Sequence, residues 1–364
     1  MQRRQEYAGG VKWSPGAGLT RGGRFGRNER RRGERLPKGY GFQPFEKPLL
    51  RKLCRTSLLV SSCVAASDWL WLAAAMGVGT AVFNHFGWVW TVALNLCLLW
   101  PLCSRALRGF ENLTHEGSHF NFDRGSKRRN DSVVNWACSY WVLISVEMFR
   151  GPHDAHHKHF GSSEDPDKKR FASLGVDDMP RRSPVHMVLY LLKVLPTYIL
   201  DYWKQFSNKK GQLKRSLALH VLFAGFVSLA FYNNFWLLWL IYFWVPFLLY
   251  LPMHRFLAEA EEHRYKGAET EFNSTFSNLG KLQRWFLHPH GDAYHLLHHM
   301  LPQIPHWKMS TTHWLLATLD STFEGGSVRK SIFDDPRRHI RVVARRITTI
   351  GGEKDESTMR ARTV

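Results

Sequence analysis

Two long apolar blocks decide what this chain can fold into. Residues 57–104 contain one formal charge, Asp68, and residues 216–253 contain none. Each block is about twice the ~20 apolar residues that one α-helix needs to cross a bilayer. The remaining segments carry almost all of the charge, and the net charge is +20. This segregation excludes an ordinary soluble globular protein and indicates an integral membrane protein.

Each block contains one polar interruption that divides it into two. The letters NHFG at residues 84–87 interrupt the first block, and Asn233-Asn234 interrupts the second. The pattern therefore predicts four membrane spans, at about residues 62–83, 88–107, 216–232 and 235–253.

The distribution of basic residues predicts the orientation of these spans. Residues 1–57 hold fifteen Lys or Arg and residues 150–215 hold thirteen, whereas the two predicted turns hold none. Cytoplasmic loops carry the excess of Lys and Arg in membrane proteins. We therefore expect a multi-pass, all-α integral membrane protein with four transmembrane helices in two hairpins, plus interfacial helices. Both termini and a histidine-rich cap are expected in the cytosol.

The two ends of the chain differ in composition from the middle. Residues 1–48 are basic and Gly-rich with little to bury, and they predict a disordered cytosolic tail without the apolar core of a signal peptide. Such a tail could bind RNA. A basic segment just before a span suits anionic lipid head groups better, so no nucleic-acid partner is expected. The membrane domain is predicted at residues 49–325, followed by a basic C-terminal tail at residues 326–364.

Two weaker apolar segments lie outside the predicted spans. Residues 133–149 contain one charge, Glu147, and are short for a span, so we interpret them as re-entrant or interfacial. Residues 185–203 mix apolar side chains with Lys193 and Asp201, which predicts a helix lying in the membrane interface.

Asp68 and the cysteines receive structural interpretations. An acid at mid-bilayer would indicate a function. A span that begins at Trp69 would instead leave Asp68 among the lipid head groups, and we favour that interpretation. The five cysteines form no CxxC pair and lie in or beside apolar stretches, which predicts free packing residues.

Histidines are concentrated in three short motifs. They are HEGSH at residues 115–119 (box 1), HDAHH at 153–157 (box 2) and HLLHH at 295–299 (box 3). On a helix, positions i, i+3 and i+4 project from one face, so each HxxHH motif aims three imidazoles at a common point. One isolated pair would suit a surface or capping role. Eight such histidines on the same predicted side of the membrane indicate a metal site instead.

The donor type limits the chemistry of this site. Imidazole suits Fe, Zn, Cu and Ni, while the lack of clustered cysteines argues against structural zinc or an iron–sulfur cluster. Eight ligands exceed what one ion can hold, so two metal ions are predicted. The residue types alone do not choose the metal.

The three boxes, spaced between paired apolar hairpins, resemble those of the membrane fatty acid desaturase and hydroxylase family. The segment MLPQIPHWKM after HLLHH is also similar to a Pro-rich turn of that family. The resemblance covers about residues 50–320 and is more specific for the superfamily than for the substrate. It implies a non-haem di-iron centre that activates O2, with the box histidines as iron ligands.

The family usually adds one more histidine between the last span and the third box. His263, in AEAEEHR, and His254 compete for this role. We prefer His263 because it lies one to three turns past the membrane, level with the boxes, whereas His254 directly follows the end of the span. The resemblance then implies nine metal ligands: His115, His119, His153, His156, His157, His263, His295, His298 and His299.

Other polar residues near the boxes are candidates for supporting roles. Ligating imidazoles usually donate their second ring N–H to a carboxylate or carbonyl oxygen. Five acids could accept such a bond, with solvation or helix capping as the alternative: Glu116, Asp154, Glu259, Glu262 and Asp292. Four further histidines are interpreted as structural, with His290 the strongest alternative ligand among them: His288, His290, His306 and His313.

The resemblance implies an oxidoreductase that desaturates a fatty acyl chain or related lipid in a buried apolar channel, with O2 as co-substrate. Hydroxylation, or action on a non-acyl small metabolite, is an alternative with the same centre. The sequence contains no flavin or dinucleotide fingerprint, so a separate electron donor is expected, a ferredoxin or cytochrome b5 with its reductase. A membrane metal transporter is the alternative of a different class, but its ligands would lie within the spans.

Overall fold

The computed structural model describes residues 35–41, 47–181, 183–207, 210–324, 326 and 328–333. Helices dominate this part of the chain, and two short strands accompany them. The α-helices are α1 Lys47–Leu53, α2 Leu58–Leu94, α3 Trp100–Ser118, α4 Lys127–Ala137, α5 Val146–His159, α6 Pro166–Leu174, α7 Pro184–Ser207, α8 Lys210–Ala230, α9 Phe235–Trp239, α10 Leu251–Glu262, α11 Glu271–Ser274, α12 His295–Met300, α13 His306–Leu319 and α14 Ser321–Glu324. The strands are β1 Ser277–Asn278 and β2 Val328–Arg329, which pair in parallel.

The first apolar block does not form one straight helix. Gly87 has a φ of 76° and a ψ of −175°, which are not helical values, although the residues on both sides are helical. Asp68 and Arg105 form an ion pair despite a sequence separation of 37. On a straight helix these residues would be about 55 Å apart. The chain therefore reverses direction near Gly87, within the break predicted at residues 84–87.

Asp68 itself corrects a prediction. It lies inside α2 and is fully buried by other parts of the protein, so its carboxylate is not exposed at the start of a helix. Its carboxylate accepts from Arg105, and its Oδ2 lies 2.5 Å from His290 Nε2. A buried carboxylate costs several kcal/mol unless cations and hydrogen-bond donors compensate it. Here those partners come from α3 and from the segment before box 3.

The second apolar block also breaks where the sequence predicts. Helix α8 ends at Ala230, and helical structure resumes at Phe235. From there it continues to Glu262 through two π-helical turns, at residues 240–244 and 246–250. Pro246 begins the second of these and offers no N–H to the preceding turn, which favours the wider turn there.

Aromatic side chains join the two apolar blocks. The ring of Trp69 on α2 lies parallel to that of Trp239 on α9, with centroids 6.2 Å apart. Trp141 packs edge-on against both rings, 4.8 Å from Trp69 and 5.8 Å from Trp239. These large rings bury much apolar area and fix the relative position of the two blocks.

Three helical stretches are long and apolar enough to cross a membrane. They are Leu58–Ser118 with 61 residues, Lys210–Ala230 with 21 and Phe235–Glu262 with 28. Their outer surfaces expose large apolar side chains such as Leu70, Trp90 and Leu222. Surfaces of this kind suit lipid rather than water. The chain is an all-α membrane protein, with the two-residue strands as the only β pairing in the described ranges besides a single bridge between His263 and Thr275.

The two weaker apolar segments have different structures. Residues 133–149 are not one helix, because α4 ends at Ala137 and a short 3-10 turn precedes Leu143, which has a φ of 62°. The predicted interfacial helix at residues 185–203 is part of α7. This helix buries Tyr198 and Tyr202 against the rest of the protein and exposes Val188 and Leu192.

The folded part extends beyond both predicted domain boundaries. Residues 35–41, which we assigned to the disordered N-terminal tail, pack on the protein, and Leu36 is buried. At the other end, β2 pairs with β1 beyond the predicted boundary at residue 325, and Arg329 is buried. Residues 1–34 and 334–364 of the two predicted tails lie outside the described residues. All five cysteines are free; Cys103 and Cys138 are buried as packing residues, whereas Cys63 and Cys97 are exposed.

Packing between the two blocks predicts a glycine requirement in α2. A Cβ on Gly79 would overlap the Tyr242 hydroxyl, whereas a Cβ on Gly77 would meet nothing within 4 Å. Overpacking a close contact costs about 1–3 kcal/mol. We expect Gly79→Ala to lower the thermal unfolding temperature of the purified protein in detergent. Gly77→Ala, two residues away on the same helix, is the control and should not lower it; equal stability of the two variants would contradict this packing.

Candidate metal centre

Four helical elements bring the three boxes and His263 together. Box 1 occupies the last turn of α3 and the residue that follows it. Box 2 lies on α5, and box 3 forms most of the short helix α12. His263 directly follows α10, whose N-terminal side continues the second apolar block. Box 1 and His263 therefore lie at the ends of helices that continue the two apolar blocks, whereas boxes 2 and 3 lie on separate shorter helices.

Five of the nine predicted ligands form a first cluster. Its members are His115, His119, His153, His157 and His298, whose ligand nitrogens all lie within 4.8 Å of one another. Their Nε2 atoms face each other. His153 Nε2 lies 2.8 Å from His115 Nε2 and 2.7 Å from His119 Nε2, and His298 Nε2 lies 2.9 Å from His115 Nε2. His157 Nε2 lies 3.1 Å from both His153 Nε2 and His298 Nε2.

The other four form a second cluster beside the first. His156, His263 and His299 bring their ligand nitrogens within 4.8 Å of one another. His295 joins them, because its Nε2 lies 3.0 Å from His263 Nε2. The two clusters adjoin where the rings of His157 and His299 stack with centroids 4.4 Å apart. The structure thus brings all nine predicted residues into one centre.

Hydrogen bonding between the rings does not account for this arrangement. A neutral imidazole carries one N–H, yet His153 Nε2 faces three other Nε2 atoms within 3.1 Å. Most of these close nitrogen pairs would oppose two lone pairs. A shared cation removes that conflict. Two nitrogens bound at right angles to one ion at about 2.1 Å are about 3.0 Å apart, close to the observed spacing.

The electrostatic environment keeps most of these imidazoles neutral. Burial, reinforced by neighbouring imidazoles, holds the pKa of His153, His157, His263, His298 and His299 well below the ordinary value. Burial and nearby arginines lower the pKa of His119 to about 3, and burial lowers that of His295 to about 3. His156 differs, since burial is outweighed by Asp167 and Asp165 and its pKa is raised. Neutral imidazoles present the lone pairs that a metal ion needs.

The residues that orient the histidines of the second cluster were not predicted from the sequence. His156 Nδ1 lies 3.0 Å from Asp165 Oδ1, and His299 Nδ1 lies 3.0 Å from Glu271 Oε1. His263 Nδ1 lies 3.3 Å from the Thr275 hydroxyl. Each contact directs the Nε2 of its ring toward the cluster. Asp165 precedes Pro166 at the start of α6 and Glu271 follows Thr270, so both resemble ordinary helix-start residues in sequence.

The five predicted supporting acids differ in whether they contact a cluster histidine. Asp292 accepts from Arg108 and contacts His288, and its Oδ1 is 3.9 Å from the ring nitrogens of His115 and His295. Glu262 also lies 3.9 Å from His295. The other three do not contact a cluster histidine in the described part of the chain. Glu259 pairs with Arg170 and Arg255, Glu116 accepts from the His306 N–H, and Asp154 is exposed.

The remaining histidines have other partners. His254 Nδ1 lies 3.2 Å from the Ser104 hydroxyl, and its ring stacks on Phe286. His288 sits between Glu261 and Asp292, which raise its pKa to about 9 against the effect of burial. His290 contacts Asp68, His306 contacts Ser61, and His313 packs against Tyr294. None of these five belongs to the candidate metal groups found among the described residues.

The contrast between His263 and His254 predicts a difference in metal content. His263→Ala removes one of the four nitrogens of the second cluster and should weaken binding of one ion at least 10–100-fold. His254→Ala removes a buried ring of the same kind outside the clusters. We expect metal per folded protein, measured by inductively coupled plasma mass spectrometry after gel filtration, to fall only for His263→Ala. Loss of metal in the His254 variant alone would reverse the assignment.

Comparison with known proteins agrees with this geometry. The family model for fatty acid desaturase matches residues 88–323, which include all nine histidines. The omega-3 fatty acid desaturase, chloroplastic, of Ricinus communis is 25% identical over 231 residues, covering 54% of this chain and 48% of that protein. The chain thus spans about half the length of this curated relative. With the family match covering most of its folded part, this chain belongs to the fatty acid desaturase family.

Proposed function

We propose that the protein is a membrane oxidoreductase that holds two iron ions and uses O2 to desaturate a fatty acyl chain or related lipid. The observation that carries the proposal is the convergence of nine buried or half-buried histidines into two adjoining clusters. Family membership favours iron over the other metals that imidazole binds, since iron is the metal that fatty acid desaturases use. The name of the Ricinus communis relative, an omega-3 fatty acid desaturase, supports an acyl substrate.

Each cluster would hold one of the two ions. The first cluster offers five imidazoles to one ion, and the second offers four to the other. Bound iron supplies the electron transfer and O2 chemistry that side chains lack. The protein keeps most of the imidazoles neutral by burial and orients several of them through Asp165, Glu271 and Thr275.

A cavity of about 710 Å³ reaches the centre and supports a substrate site there. Its inner wall includes His153, His156, His263 and His295. Apolar side chains cover much of the remaining wall: Val142, Ile144, Met148, Phe149, Phe171 and Phe206. Such a wall would hold an alkyl chain beside the metal ions and exclude water from it.

Charged residues in the same cavity support a second candidate, a substrate with a polar group close to the reacting carbon. Arg170 and Arg255 line the cavity together with Glu259, to which both are paired. Lys169 on α6 and Asp201 on α7 lie at its more exposed end. A polar head group or a small polar metabolite would find hydrogen-bond partners there.

Electrons are proposed to come from a separate ferredoxin or cytochrome b5 with its reductase. The sequence carries no flavin or dinucleotide fingerprint, and its net charge of +20 favours an acidic partner. Basic residues concentrate in the segments proposed to face the cytosol, where such a donor would dock.

We propose four membrane crossings in two hairpins, with the histidine clusters and both termini on the cytoplasmic side. The reversal near Gly87 supports two crossings within Leu58–Ser118, and the break at residues 231–234 supports two more. The near absence of charge at both turns and the excess of Lys and Arg in the connecting segments support this orientation.

Single cysteines can test this topology in a cysteine-free background. Phe86 and Asn234, at the two turns, and Arg128, between the hairpins, are exposed. We expect Phe86→Cys and Asn234→Cys to react with an impermeant maleimide added outside intact cells. Arg128→Cys should react only after the membrane is opened. The opposite pattern would invert the orientation, and a split between residues 86 and 234 would contradict the paired hairpins.

The activity can be tested with a matched pair of histidine variants. His298 belongs to the first cluster, whereas His313 is equally buried but outside it. We expect the wild type to contain about two irons and to consume O2 with NAD(P)H when reductase and donor are added. Mass spectrometry of lipids and small metabolites from expressing cells should show a product that His298→Ala abolishes and His313→Ala retains.

The same experiment separates the alternatives. A product two hydrogens lighter than its precursor indicates desaturation, and one oxygen heavier indicates hydroxylation. A polar metabolite as the changed compound would favour the second substrate class. Metal flux into proteoliposomes without O2 uptake would contradict the oxidoreductase and indicate a transporter.

A further inference from the structure

A short segment outside the family match reaches the second histidine cluster. Residues 35–41, here named the N-terminal strap, lie upstream of the matched range 88–323. The Leu36 N–H donates to the Phe160 carbonyl, 3.0 Å away, and the Leu36 side chain is buried against Gly161. The strap therefore docks directly after box 2.

The strap also pairs with the start of α11. The Glu271 N–H donates to the Pro37 carbonyl at 2.9 Å, and the Phe272 N–H donates to the Lys38 carbonyl at 3.0 Å. Tyr40 stacks on Phe272 and donates its hydroxyl to Asp320, 2.6 Å away. These contacts hold the strap beside Glu271, the acid that orients His299.

Two cations of the strap bind this acid. Glu271 is fully buried, and its Oε1 accepts from Lys38 Nζ at 3.1 Å as well as contacting His299 Nδ1. Its Oε2 accepts from Arg35 Nη2 at 2.5 Å. Lys38 also donates to the backbone carbonyl of His299, 2.9 Å away. Strap and acid thus hold His299 at both its ring and its backbone.

The hydrogen bonds of Glu271 explain why this matters to the metal ligand. A buried carboxylate is costly unless cations or hydrogen-bond donors compensate it. As the acceptor at His299 Nδ1, Glu271 orients the ring so that Nε2 faces the cluster. An oxygen of Glu271 also lies within 4.8 Å of the ligand nitrogens of His157 and His299. Arg35 engages Oε2 of Glu271, and Lys38 engages Oε1, the oxygen that also contacts His299.

We propose that Arg35 and Lys38 are positioning residues of the second metal subsite, acting through Glu271 on His299. The strap is then a functional part of the metal centre rather than the end of a tail. This inference rests on the proposed metal-binding function, because it concerns how one of the two ions is retained.

Release of metal to a chelator tests the proposal without relying on activity. The purified full-length protein, loaded with ferrous iron in detergent under anaerobic conditions, is mixed with a chromogenic chelator and release is followed in time. We expect Arg35→Met with Lys38→Met to release one of the two ions about 10–100-fold faster than the wild type. The other ion should leave at the wild-type rate. Arg35→Lys with Lys38→Arg, which keeps both charges, should restore slow release.

Two controls separate positioning from general docking of the segment. Tyr40→Phe removes a strap contact that does not involve Glu271, and Lys308→Met removes a lysine that holds backbone carbonyls of Lys52 and Arg55. Neither should accelerate release. A Glu271→Gln background gives the sharper test, since the two methionine substitutions should change release less than about twofold there if they act through the carboxylate.

The outcomes distinguish failure of this inference from failure of the proposed function. Wild-type protein without bound iron would overturn both. Two bound irons with unchanged release in the double methionine variant would overturn only the role of the strap. Equal acceleration in Tyr40→Phe, or acceleration that persists in the Glu271→Gln background, would likewise reduce the strap to a structural contact. A double variant that does not fold leaves the charge-retaining pair and the single variants Arg35→Met and Lys38→Met to decide the question by the same kinetics.

Discussion

The close approach of uncharged imidazole nitrogens is the constraint on which the rest of this structure depends. Five Nε2 atoms converge in the first cluster at separations as short as 2.7 Å, where lone pairs repel and too few protons are present to bridge them. Side-chain packing alone would not hold imidazole nitrogens this close together. The surrounding acids, the helix ends and the aromatic core hold the rings in an arrangement that could bind a metal ion.

The close approach of the box histidines could be predicted because their spacing follows helical periodicity, whereas their role as metal ligands stays a prediction. The i, i+3, i+4 spacing of boxes 2 and 3 places imidazoles on one face, and α5 and α12 are indeed helical there. The breaks at residues 84–87 and 233–234 could be predicted for a similar reason, since polar residues interrupt long apolar runs. His263 was preferred to His254 from its distance past the apolar block, and it is His263 that lies in the second cluster.

Features that depend on distant pairing could not be predicted in this way. Asp68 was judged on its own, as one charge in an apolar block. Its environment is set by Arg105 and His290, at sequence separations of 37 and 222. Asp165 and Glu271 carry the local signature of helix starts, which conceals their contacts with cluster histidines. Composition likewise assigned residues 35–41 to a basic tail, although Leu36 and Tyr40 supply the apolar contacts that dock them.

The position of the strap has a consequence for the order of assembly. Arg35 and Lys38 precede Glu271 by 236 and 233 residues, so they leave the ribosome long before the acid that they bind. The helices between them must be inserted into the bilayer before this contact can form, and contacts of such long range form late. This contact can therefore form only after residue 271 has been synthesised and the helices between have been inserted, so the proposed ion capture at the second subsite would be a late maturation step.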